Sequence, residues 1–427
     1  MFFTSPTFLF LFFPLGYLFY QFCPARLRLF LILSLSLFFY AWGAWQFLPL
    51  LLTLILFNYT AGILFTRKPH LRPLFLFLAL TLNLSFLAFY KYSSPMFPLG
   101  LSFFTFHAIS YLIDLYHGEV KKVSLINTGI YLLFFPHLLA GPLTRAKDFL
   151  PQLNKLKPGM INTAPALALI VSGLSQKLLL ANQLAPLADY VFSTLPSSGS
   201  LAWLGLLAYS LQIYFDFAGY SNIARGIALL FGLNISNNFN YPYIARSIGE
   251  FWERWHISLT SFLRQYLYFP LGGSRKGNLR TYLNILLVFA FSGLWHGTGW
   301  TFLIWGLWHG AFMVFERFFA KYKFAFPIFP KFFSHLYAIL AITLGWVFFR
   351  SHNLAYAIGY FRALFSSFAP LPLTLLTPSI VIIIILGVLI SLGYFKNIPK
   401  IIYPVLFVLS LLALGSSTFN SFIYARF

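Results

Sequence analysis

Two histidines give the first chemical signal. His256 stands in "RWHISL", just after Glu250, Glu253 and Arg254, and His296 stands in "SGLWHGTGWTF", among Gly293, Gly297 and Gly299. Imidazole is the side chain best suited to accept a proton near neutral pH. On a continuous helix Glu253 and His256 lie one turn apart and can touch. A carboxylate in that place fixes the tautomer of the ring and raises its basicity. His296 has no Asp or Glu within sixteen residues on either side. If buried it is neutral, with a nitrogen able to accept a proton. The glycines around it let a substrate or another helix come close. The plainer alternative is a helix-packing motif whose histidine bonds a neighbouring carbonyl.

Other chemistries find less support. His309, in "GLWHGAF", follows His296 by thirteen residues, and no acid nearby supplies a third ligand, so no metal site is expected. No G-x-S-x-G elbow and no phosphate loop occur. Asp216 lies in "YSLQIYFDFAGYSNIARG" with Gln212, Tyr220, Ser221, Asn222 and Arg225 on nearby turns. It either pairs with Arg225 or provides a polar lining for an acceptor. His107 and Asp114, in "SFFTFHAISYLIDLYHGE", form a similar but weaker set, either part of such a lining or a pair placed near lipid headgroups.

The elements that must position these residues follow from composition. Of 427 residues 59% are hydrophobic, 21% aromatic and 9% charged, against roughly 25% charged in a soluble domain. So few charges cannot cover a water-soluble surface, and the long apolar runs call for an all-α integral membrane protein. The net charge is +21. The basic residues sit in short gaps between apolar runs, which fits anionic lipid headgroups and positive-inside orientation, and not nucleic acid. Cys23 is the single cysteine and can form no internal disulfide. The N-terminal run lacks a preceding basic residue, as expected of a retained first span and not of a cleaved signal.

Apolar runs of about spanning length fall near 6–23, 27–43, 45–66, 73–90, 98–116, 162–182, 201–232, 281–294, 299–320, 333–349, 375–394 and 401–415. About 11 to 13 membrane segments in one domain, 1–427, are expected. Arg26 and Arg28, then Arg67, Lys68 and Arg72, then Lys121 and Lys122 are each separated by two spans and so share the cytoplasmic side. Arg145, Lys147, Lys155 and Lys157 would break that rule if "INTGIYLLFFPHLLAGP" (126–142) crossed completely. With Pro136, Gly141 and Pro142, that stretch is expected to be broken, entering and returning or lying shallow against a cavity. From Tyr241 to Gly277 the chain is at its least apolar, and Phe251, Trp255, Leu259, Phe262 and Tyr266 recur at helical spacing. An amphipathic or partly buried helix is expected there.

Taken in order, "GLSFFTFHAISYLIDLYHGE", "FPHLLAGPLTR", "YFDFAGYSNIARGIALLFG", "NFNYPYIARSIGEFWERWHISLTSFLRQYLYFPLGGSRKG" and "GLWHGTGWTFLIWGLWHG" cover most of residues 95–317. This series resembles the membrane-bound O-acyltransferase family, and within it the bacterial branch that acetylates exopolysaccharide, related to the branch that carries D-alanyl groups to teichoic acids. The "FPLGGSR" stretch favours the acetylating branch. Relatives carry Asp where this chain has Gln265.

The resemblance implies a multi-helix enzyme of the bacterial cytoplasmic membrane with a funnel or tunnel through it. It implies an acyl thioester donor such as acetyl-CoA on the cytoplasmic side, no bound cofactor, a polysaccharide acceptor outside, and either an extracytoplasmic esterase-like partner or an acyl-carrier protein. The family's essential histidine maps to His296 and its less universal one to His256. Glu253, Arg264, Trp295, Asp216 and Asn284 are the residues expected to hold substrate. Trp252, Trp255, Trp295 and Trp300 would exclude water, and Arg264, Arg275, Lys276 and Arg280 form a basic edge for coenzyme A phosphates or for headgroups. A proton-coupled transporter using Asp216, His256 and His296 is the main rival reading, and a scaffold for cell-wall synthesis is a third.

Overall fold

The computed structural model describes residues 1–156, 163–321, 330–396 and 398–416; Lys157, one of the basic residues that bear on orientation, lies outside them. Each of the twelve apolar runs is helical. In chain order the helices are α1 (Phe13–Phe22), α2 (Arg28–Ala44), α3 (Leu48–Arg67), α4 (Arg72–Tyr92), α5 (Leu101–Tyr116), α6 (Leu125–Leu133), α7 (Phe135–Leu138), α8 (Ala146–Leu153), α9 (Thr163–Ser175), α10 (Asn182–Ser193) and α11 (Gly199–Leu230). They continue as α12 (Ile248–Arg254), α13 (Ile257–Leu263), α14 (Asn278–His296), α15 (Trp300–Lys321), α16 (Lys331–Arg350), α17 (Leu354–Leu364), α18 (Pro378–Ser391) and α19 (Ile402–Ser416). Among the described residues five stretches are long and apolar enough to cross a membrane: Ala25–Arg67, Pro69–Tyr92, Thr163–Ser193, Gly199–Leu230 and Lys331–Arg350. Helices α1, α18 and α19 are shorter apolar elements. Large apolar side chains such as Phe77, Ile382 and Leu412 stand exposed, as lipid-facing residues do. The protein is an all-α, multi-pass membrane protein.

The chain forms two compact units, one of Met1–Gly173 with Tyr220–Asn237, the other of Leu174–Gly219 with the described residues from Asn238 onward. In the first, α5 is buried along nearly its whole length. Its Ser110 Oγ accepts Ala146 N at 3.0 Å and its Asp114 carboxylate accepts Lys147 N at 3.0 Å. These side chains cap the N-terminus of α8, where acceptors and negative charge are favoured. His107 and Asp114 are buried, so the expected place near headgroups is corrected: they are packing and capping residues. The 126–142 stretch is broken as expected. Helix α6 ends at Phe134 (φ −49°, ψ 111°), and α7 restarts with Pro136 in its first turn. His137 stacks on His107 at 4.1 Å between ring centroids, and its Nε2 meets Tyr131 O at 2.8 Å.

Asn58 of α3 and Asn83 of α4 exchange amide hydrogen bonds at 3.2 and 3.0 Å, and each also donates to the carbonyl one turn back. Both side chains are buried. In a bilayer such a pair holds two helices together without any hydrophobic drive. Asn58→Leu should lower stability by about 0.6–2 kcal/mol, read as a lower melting temperature of the purified protein in one fixed detergent.

The candidate site lies wholly in the second unit. Its frame is the pair α14 and α15, which approach at backbone distance. A Cβ on Gly293 would stand 2.3 Å from Phe302 O, and one on Gly306 would stand 2.2 Å from Phe289 O. The glycine at 293 therefore serves helix–helix approach. Trp308 Nε1 donates to Ala341 O at 2.8 Å and ties α15 to α16.

Candidate acyl-transfer site

The helix expected through Phe251–Tyr266 is interrupted where the chemistry lies. Ser247 caps α12 by accepting Glu250 N at 3.0 Å, and Trp255 N closes it on Phe251 O. Trp255 is then extended and forms an isolated antiparallel bridge with Phe239. Asn240 N donates to Arg254 O, Ile257 N donates to Asn238 O, and Ser258 donates through N and Oγ to Asn238 Oδ1. Asn238 thus caps α13. Between the two helices His256 takes a left-handed backbone, φ 43° and ψ 50°. A non-glycine residue held there costs of order 1–3 kcal/mol and persists only where its surroundings impose it.

This break corrects the expected contact between Glu253 and His256. With α12 ending at Arg254, the two do not share a helix face. Glu253 is exposed, while His256 is buried against Phe217 at 4.6 Å and Trp295 at 6.5 Å between centroids. His256 lies between two seven-residue helices, too short to span a bilayer, and burial pushes its imidazole down to about 3.

His296 ends α14 and is 2% exposed. Its ring meets Trp295 at 4.6 Å, Trp305 at 5.0 Å and Phe349 at 5.3 Å. Histidines forty positions apart in sequence are therefore brought against one indole, that of Trp295. His309 is fully buried and also meets Trp305, at 5.3 Å. Among the described residues no group of three His, Cys, Asp or Glu could hold a metal ion.

The aromatic shell differs in part from the expected one. Trp252, Trp255 and Trp295 are buried, but Trp300 is 74% exposed and takes no part, because it stands at the first position of α15. Trp305, Trp346 and Phe349 complete the shell instead. Their apolar spacing on α15 and α16 is visible in the sequence, but nothing there points them at His296.

A cavity of about 390 Å³ opens among α12, α13, α14 and α15, lined by Glu253, Arg264, Arg317, Trp252, Phe289 and Ser292, among others. Ser292 stands one helical turn before His296. Glu253, Arg264 and Arg317 are exposed at this cavity, and Arg275, Lys276 and Arg280 are exposed nearby in sequence, beside the lining residue Ser274. Arg317, which sequence reasoning missed, is thus brought to the same wall as Arg264. Gln265 sits in the π-helical turn Arg264–Tyr268, a kind of irregularity frequent at functional sites.

Asp216 and Asn284 are placed otherwise than expected. Asp216 forms a buried ion pair with Lys177, and Arg225 bonds Asn237 at 3.1 Å. The partner of Asp216 is therefore Lys177 and not Arg225. Lys177 is legible in the sequence only as a lone cation inside an apolar run. Asn284 is buried and donates Nδ2 to Leu271 O at 3.3 Å and to Gly273 O at 2.9 Å. Its Nδ2 holds the glycine turn before α14.

The family model described as MBOAT, membrane-bound O-acyltransferase family, matches residues 37–358, a stretch that includes every residue of this site. The chain belongs to the membrane-bound O-acyltransferase family. It is 37% identical over 392 residues to a probable alginate O-acetylase of Azotobacter vinelandii, covering 86% of this chain and 78% of that one. It is 36% identical over 419 residues to a peptidoglycan O-acetyltransferase of Helicobacter pylori, covering 85% and 79%. A teichoic acid D-alanyltransferase of Bacillus subtilis is 28% identical over 263 residues, covering 58% and 65%. The chain is accordingly an acyltransferase, a member of this family in which the two histidines meet one tryptophan beside an arginine-bearing cavity.

Proposed function

We propose that this chain moves an acetyl group from a thioester donor on the cytoplasmic side to hydroxyls of an extracytoplasmic polysaccharide or cell-wall polymer. The observation that carries the reading is the placement of His256 and His296 against Trp295, inside an aromatic shell and one turn from a cavity bearing Arg264 and Arg317. His296 acts as general base. The acceptor oxygen attacks the thioester carbonyl carbon, its proton passes to the imidazole, the carbon–sulfur bond breaks, and the leaving thiolate takes a proton back. His256 binds the donor or passes the proton onward. The shell limits hydrolysis of the donor by excluding water. Acetyl is preferred over D-alanyl because the O-acetylating relatives match at 36–38% identity over 85–86% of the chain, and the D-alanyltransferases at 28–29% over 58% or less. An extracytoplasmic esterase-like protein would complete delivery to the polymer.

The cavity is read as the donor site, with Arg264 and Arg317 facing the donor's phosphates. The test uses purified protein with acetyl-CoA labelled in the acetyl group. Transfer of label, or its slow release to water, is expected. The double variant Arg264→Ala, Arg317→Ala should raise the donor KM by about tenfold with little change in kcat, the pattern of lost uniform binding. Proton-coupled flux in vesicles without donor turnover would overturn the proposal.

A further inference from the structure

Of the eight acidic residues in the chain, Glu316 is used in an unusual way. It stands near the end of α15, and its carboxylate accepts Ile248 N, Gly249 N at 3.0 Å and the Tyr337 hydroxyl of α16 at 3.1 Å. No Lys or Arg pairs with it among the described residues. Ile248 and Gly249 open α12, whose first N–H groups have no partner within the helix. A carboxylate there satisfies two of them and meets the positive end of the helix dipole. The cap from Ser247 reaches only Glu250 N, so the two acceptors divide the exposed donors between them.

The consequence lies at the other end of the same helix. A seven-residue helix is too short to hold itself in water or in lipid. Its place is set by what grips it. At its far end stand Trp252 and Glu253, both lining the cavity, and two residues beyond Arg254 comes the strained His256. Gly249 lines the cavity as well, as do Met313 and Arg317, which flank Glu316 along α15. We infer that Glu316 is a positioning residue: by clamping the N-terminus of α12 to α15 and α16, it fixes one wall of the cavity and the backbone turn that presents His256. This rests on the cavity being the donor site, as proposed above.

The test is run on the purified full chain, with two readouts. Hydrogen–deuterium exchange of the 246–256 segment should quicken about tenfold in Glu316→Ala, while α14 and α16 keep their protection, since local opening is governed by local contacts. In the same variant the KM for acetyl-CoA should rise roughly fivefold with kcat within about twofold. Glu316→Gln keeps one acceptor oxygen and should fall between wild type and alanine in both readouts. Should alanine prevent folding, Tyr337→Phe removes a single hydrogen bond and should shift both readouts the same way by a smaller factor. Exchange and KM unchanged in Glu316→Ala, or exchange raised evenly along the chain, would overturn the inference. Faster local exchange with an unchanged KM would instead keep the clamp and remove the cavity as donor site.

Discussion

Replacing His296 by alanine is expected to cut acyl transfer by about 10²–10⁴-fold, the range that a positioned general base contributes. At 1.36 kcal/mol per tenfold this is roughly 3–5 kcal/mol of transition-state stabilisation. A sugar hydroxyl is a poor nucleophile at neutral pH and must lose its proton as it attacks. The ring of His296 is 2% exposed among Trp295, Trp305 and Phe349, and in the proposed mechanism those rings keep water from the thioester. The residue ends α14, so its truncation breaks no intrahelical turn, and the packing of α14 on α15 through Gly293 and Gly306 is left in place. The variant should therefore fold, as read by an unchanged elution volume in detergent and a small change in melting temperature, while mass spectrometry of cell-surface glycans loses the acetyl mark. His256→Ala should cost less, about tenfold, because in the proposed mechanism its ring serves donor binding or proton passage and not as the base. Full acetylation by His296→Ala would end the proposed mechanism.

The second large effect is on stability. Lys177 and Asp216 form an ion pair with side chains 5% and 1% exposed, in stretches apolar enough to cross a membrane. Lys177→Met removes the ion-pair partner of the buried Asp216 carboxylate and should destabilise the protein by about 3–5 kcal/mol, the usual result of removing one partner of a buried pair. The double variant Lys177→Met, Asp216→Leu removes both charges and should recover most of that loss, since the desolvation cost of the pair disappears with it. Melting of the four proteins in one detergent gives the coupling directly. If the two losses simply add, the pair is not a coupled unit. Lys177 lies in the π-helical segment Gln176–Ala181, so recovery of stability without recovery of transfer would mark the pair as retained for activity.

Much of the site is legible in the amino-acid sequence, and for a physical reason. In a chain that is 59% hydrophobic, each polar or ionisable residue inside an apolar run is costly, so His256, His296 and Asp216 stand out by their setting alone. The broken stretch at 126–142 is legible because Pro136 cannot continue a straight helix. Family membership is legible because the motifs recur in order. The direction in which side chains point across helices is not. Glu253 and His256 are neighbours under helical periodicity, but pairing of Trp255 with Phe239 and capping by Asn238 override that periodicity at the turn that matters. Trp300 shares the aromatic pattern of the shell without belonging to it, while Trp305 and Trp346 do belong.

The residues that the tertiary structure added all act over long separations. Lys177 reaches Asp216 across thirty-nine positions, Arg317 joins Arg264 on one cavity wall, and Glu316 caps a helix that begins sixty-eight residues earlier. Composition and local pattern determine that this is a helical membrane protein, which stretches are helical, and which rare polar groups must be accounted for, because those follow from the cost of exposing polar groups to lipid. Which cation answers which acid, which indole meets both histidines, and which carboxylate holds a short helix in place were decided only by packing, since each depends on the angle at which one helix meets another and no local rule carries that angle.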